Sequence, residues 1–99
     1  MPAASCQADL AAVDASFEET QARLDKVTKE DKVEMCAAFK HHIEVMANGI
    51  NVFQRCLAPG HDQRENVVQL AVSIGDFVEI NERRGCAKFD LPKIDWPRE

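Results

Sequence analysis

Several things this chain lacks narrow its role before any motif is considered. Basic residues are scarce: 12 lysines and arginines stand against 17 aspartates and glutamates, a formal net charge of −5. Nucleic-acid binding needs a surface that neutralises phosphates, so this balance argues against it. It argues equally against attachment to anionic lipid. No apolar run approaches the roughly 20 residues that span a bilayer. The four prolines and four glycines are few for a turn-rich β protein. The opening Met1 to Ser5 shows neither the basic region nor the hydrophobic stretch of a signal peptide, so the expectation is a trimmed precursor or synthesis in the cytosol. Catalytic motifs are missing too: there is no glycine-rich phosphate loop, nucleophile elbow or His-Glu-x-x-His. There is no Asn-x-Ser/Thr acceptor for N-glycosylation. No Cys-x-x-Cys pair occurs, which disfavours zinc and thioredoxin-like chemistry.

What is present is a 99-residue chain, 45% apolar, of a size to form one domain around one core. Its four cysteines, Cys6, Cys36, Cys56 and Cys86, are separated by 30, 20 and 30 positions. An even count of well-separated cysteines in a small chain reads as two disulfides and an oxidising compartment. Secretion is the expectation; the alternative is the mitochondrial intermembrane space, whose small helical proteins use closer twin spacings.

The apolar pattern has the period of helices throughout. Cys6, Leu10, Val13, Phe17, Leu24 and Val27 form one stripe, interrupted at Thr20, with Ser5 as its N-cap. A second segment opens at a Thr28–Asp31 capping box and stops before Pro59 and Gly60. Here Cys36, Phe39, Ile43, Met46, Ile50, Phe53 and Leu57 run without a slip. A parallel stripe of Met35, Ala38, His42, Val45, Gly49, Val52 and Cys56 lies beside it. Asn48-Gly49 is the one breaker, but a loop would shift the phase of the stripe, so the helix is expected to continue through it. An Asp62–Glu65 capping box opens a third helix carrying Val67, Leu70, Ala71, Ile74, Phe77 and Val78, with Gly85 as its C-terminal stop. The expected architecture is all-α: an up-down-up three-helix bundle over 1–86, with helices at about 5–27, 29–57 and 62–84. An extended tail, 87–99, follows.

Helix length then selects the disulfides. In a continuous second helix Cys36 and Cys56 lie about 30 Å apart, beyond the roughly 7 Å that a disulfide tolerates between Cα atoms. An up-down-up course brings Cys6 to Cys56 at one end and Cys36 to Cys86 at the other. The rival pairing, Cys6 with Cys86 and Cys36 with Cys56, needs a chain reversal at Asn48-Gly49.

Candidate chemistry is sparse. Neighbouring residues on a helix diverge by about 100°, so His41 and His42 do not share an ion readily, and a metal role would also need His61 nearby. No metal or cofactor is expected. His41 faces solvent, and His42 is a satisfied border residue. The tail holds Phe89, Leu91, Ile94 and Trp96, too short and proline-punctuated a segment to bury them by itself. They either fold back on the bundle or dock a partner. The expectation is a secreted, non-enzymatic module that recognises another protein in an effector, toxin-like or signalling role. The alternative is a carrier of a small hydrophobic ligand, for which the four-cysteine odorant-binding proteins are similar in overall style but not in cysteine spacing. Four phenylalanines and Met46 would fill a slim three-helix core, so a ligand cavity would call for a dimer, for which the wide face of the second helix leaves room.

Overall fold

A computed structural model of the chain describes residues 4–27 and 30–94. Three helices follow in order: α1 Ala4–Lys26, α2 Lys32–Cys56 and α3 His61–Arg83. The two connections are short, and consecutive helices run antiparallel as the disulfides require. Cys6, in the first turn of α1, is bonded to Cys56 at the end of α2, and Cys36, in the first turns of α2, is bonded to Cys86 just beyond α3. Their Cα atoms are 5.4 and 5.5 Å apart. From the first connection, Cys6 lies about 30 Å along α1 and Cys56 about 36 Å along α2, an offset that the relative tilt of the helices absorbs. None of the helices described is long and apolar enough to cross a membrane.

α2 is the central element and passes through Asn48-Gly49 without a break. Ile43, Ala47 and Ile50 are fully buried on it and form the core with Met46, Val67 and Ile74. Gly49 is required by close approach. A Cβ there would lie 2.9 Å from Phe17 Cζ and 3.2 Å from Leu70 Cδ1, so side chains from both outer helices meet over it. At the Cys6 end a smaller cluster joins Val13, Val52 and Cys56, with Leu10 and Phe53 against it.

The helix ends differ from the sequence reading in three places. α1 already includes Ala4, so Ser5 lies inside its first turn and not before it. The N-cap of α2 is Asp31 itself, whose carboxylate accepts from the Glu34 N–H at 3.1 Å; Thr28 lies outside the described residues. At α3 the Asp62–Glu65 capping box is not formed, because the cap position is Gly60 and Asp62 sits within the first turn. The side chain that matters at this corner is Gln63. Its amide donates to the carbonyls of Gln54 at 3.1 Å and Leu57 at 3.2 Å, satisfying orphan acceptors at the end of α2.

α3 ends in a Schellman turn. Gly85, at φ 75°, donates to Glu82 O, and Cys86 donates to Asn81 O, each at 3.0 Å. The left-handed glycine turns the chain sharply and delivers Cys86 to Cys36.

Beyond Cys86 the tail returns along α2. Phe89 and Ile94 pack against the core cluster, and the Lys40 ammonium lies 5.6 Å from the Phe89 ring centroid. Asn51 Nδ2 donates to the Lys93 carbonyl at 2.8 Å. Leu91, between them, is 42% exposed. Trp96 lies outside the described residues.

Candidate functional site

The two outer helices both pack on α2 but not on each other. Among the described residues no Cα of α1 comes within 8 Å of one in α3. At the Gly49 end, Phe17 and Leu70 close that gap with their side chains. Farther along, towards the α1–α2 connection, it opens into a groove of about 580 Å³, walled by α1 and α3 and floored by α2. Phe17, Ala22, Met46 and Leu70 give it an apolar lining, with Ser73 on the α3 side and Glu18, Gln21 and Asp25 along the α1 side. A second depression of about 280 Å³ shares Gln21 and extends the line past Leu24, Phe39 and Phe77 to Arg84. The groove is open to solvent along its length and is not an enclosed chamber.

His42 is the polar group on its floor, and it is 7% exposed. Its Nδ1 lies 2.7 Å from the hydroxyl of Thr20, itself 2% exposed, and that hydroxyl lies 3.3 Å from the Phe17 carbonyl. A threonine has one proton to give. Both contacts are satisfied when Thr20 donates to Phe17 O and accepts from Nδ1–H, which leaves Nε2 as an acceptor. The ring also stacks edge-on against Phe77, with centroids 4.9 Å apart. Burial holds His42 below its ordinary pKa, and the neighbouring His41 acts in the same direction. The Thr20 interruption of the α1 stripe and the His42 position in the α2 stripe are therefore one feature: two polar residues on facing helices that satisfy each other. Each interruption was visible in the sequence, but their pairing was not, because it depends on helix register.

Ser73 and His42 line the same groove, a convergence that sequence spacing did not suggest. No hydrogen bond joins them among the described residues, and the imidazole nitrogen that an orienting carboxylate would hold is taken by Thr20. A nucleophile–base–acid relay is not assembled here.

The other candidates fall elsewhere. His41 is exposed, its Nδ1 3.4 Å from Arg23 Nη1. Arg23 spans to Glu34 at 2.7 Å, joining α1 to α2, and this pairing lowers the Glu34 pKa. His61 opens α3, some 20 Å along the bundle from His42. It lies 3.2 Å from Glu65, and with Asp62 the three present ligand atoms within 4.8 Å of one another. All three are exposed, and a cation there would face the positive end of the α3 dipole. Of the tail residues described, Phe89 and Ile94 lie partly buried against the bundle and Leu91 is exposed.

Comparison of the chain with protein-family models, with curated proteins and with solved structures finds no match.

Proposed function

We propose that this protein is a secreted, non-enzymatic binding module that takes an apolar segment of another protein into the groove between α1 and α3. The observation that carries this reading is the form of the groove: apolar along Phe17, Ala22, Met46 and Leu70, polar along its α1 rim and at His42, and open along its length. Helix-in-groove recognition uses such a surface, with anchors spaced along one face of the incoming segment. The two disulfides suit an oxidising compartment and an extracellular role.

The carrier reading has one observation in its favour: about 580 Å³ lies within the range of small-molecule sites. Such sites bury most of their ligand, and an open groove leaves one side of a small molecule in water, so protein recognition is preferred. Native mass spectrometry of gently purified protein separates the two. An empty chain whose Met46 and Leu70 methyl signals shift on titration with apolar helical peptides supports the module. A stoichiometric lipid with unresponsive methyls gives the groove to a carrier.

A further inference from the structure

The groove's polar groups are biased towards one kind of occupant. On the α1 wall Glu18 and Asp25 line it directly, and Asp14, one turn before Glu18, continues the same flank. None of these three carboxylates forms an ion pair among the described residues; Asp25 receives only a 3.4 Å contact from the Gln21 amide. On the floor, the Thr20–His42 arrangement leaves His42 Nε2 with a lone pair and no donor among the described residues. Among the described residues that line it, the cation is Arg84, at the far end beside Phe77. An occupant that brought carboxylates to this wall would meet uncompensated like charge, while one that brought N–H donors and positive charge would be complemented.

Resting on the reading of the groove as a protein-binding site, we propose that its occupant is a basic amphipathic helix of a partner protein. The helix lays an apolar stripe over Phe17, Met46 and Leu70, and its lysines or arginines flank Glu18 and Asp25. Geometry fits this occupant. The groove wall from Phe17 to Val27 is about 15 Å long, close to three helical turns. A helix seated between α1 and α3 completes a four-helix arrangement around α2. A second copy of this chain is the poorer occupant, because it brings a net charge of −5 to an acidic wall.

Two synthetic helical peptides of about 14 residues test this; they share one leucine stripe and carry either lysines or glutamates on its flanks. Fluorescence anisotropy against the intact, oxidised protein should show the lysine peptide binding at least about tenfold more tightly in low salt, with the gap closing near 1 M salt. The isosteric pair Glu18→Gln with Asp25→Asn, which alters no core contact, should weaken the lysine peptide about tenfold and leave the glutamate peptide no weaker. Ala22→Trp, on the exposed wall, should block both, with a thermal melt confirming the fold. Equal affinity of the two peptides, both blocked by Ala22→Trp, overturns the charge assignment and leaves the groove as a protein site. Binding of neither peptide, or binding insensitive to Ala22→Trp, removes the groove reading as well. Dodecylammonium binding in place of the peptides assigns the groove to a small amphiphile. Self-association in the ultracentrifuge that Ala22→Trp abolishes assigns it to a second copy.

Discussion

Two grooves run beside α2, and the chain treats them differently. The one between α2 and α3 is covered by the chain's own tail: Phe89 and Ile94 fill it, and Asn51 holds the Lys93 carbonyl. The one between α1 and α3 also has an apolar lining, and none of the described residues covers it. Two helices flanking a central one leave sides unfilled, and the described part of the tail, residues 87–94, covers only one. Burial on the covered side contributes stability, whereas exposure on the open side keeps surface available for binding. Substitutions on the first side should be read in unfolding free energy, and those on the second in affinity.

The largest effect is expected from the disulfides, and comparing them tests whether the cover is separable. Both close loops of the same length, so the chain-entropy cost of losing either is the same, about 4 kcal/mol and often less in practice. Cys36–Cys86 also anchors the start of the tail. Replacing that pair by serines should cost more than replacing Cys6 and Cys56, and should deprotect the tail amides in hydrogen exchange. Equal losses in denaturant unfolding, with the tail amides still protected, would mean that the cover holds without its staple.

Phe89→Ala should destabilise by about 2 kcal/mol, since a half-buried aromatic loses packing against the core cluster. Ala22→Leu on the open side should stay within about 0.5 kcal/mol, as exposed positions do. Comparable values for the two in urea titrations would erase the distinction between the grooves.

Much of this architecture is legible in the sequence, and the reason lies in periodicity. The unbroken stripe from Cys36 to Leu57 measures a length along one helix, and that length excludes a Cys36–Cys56 bond. The groove is not legible in the same way. Nothing in the spacing of Phe17, Leu24 or Phe77 states how far apart α1 and α3 stand; that separation follows from packing, with both helices drawn together only where Gly49 admits Phe17 and Leu70. The third helix start was misread for a related reason. Asp62 and Glu65 have the spacing of a local cap, but the working contact is Gln63 reaching back to the preceding helix. Phe89 packs on the core cluster while Leu91, two positions on and on the same face of a regular strand, is exposed, so the tail follows no simple alternation and composition does not say which residues are covered.

Gly49 sets where the open groove closes. Gly49→Ala gains about 1 kcal/mol of helix propensity, but its Cβ would stand 2.9 Å from the tip of the Phe17 ring. Overpacking of this kind costs about 1–3 kcal/mol, so a net loss near 1 kcal/mol is expected. The ring must shift outward, which lengthens the groove, and the lysine peptide should still bind. A net gain in stability would show that Phe17 yields freely and that the closed end is not a fixed feature.

The finest test of the comparison is pH, because His42 belongs to the open side while the tail side buries no histidine among the described residues. Burial, with help from His41, lowers the His42 pKa in the folded protein. The unfolded chain therefore takes up this proton first, near pH 6.5. Stability carried by neutral His42 is complete above that value and is lost as pH falls from about 6.5 towards the lowered folded value, below which the contribution levels off. One proton limits the slope to about 1.4 kcal/mol per pH unit. His41 beside it is the charge that acts on the ring, and Glu18 and Asp25 line the same groove. Unfolding curves between pH 7 and pH 5 should show the slope in the native protein and in Phe89→Ala alike. The double substitution Thr20→Val with His42→Leu removes both partners of the buried hydrogen bond together and should abolish it. If the slope survives that substitution, another group carries it, and the open groove loses its one titrating floor residue as a determinant of stability.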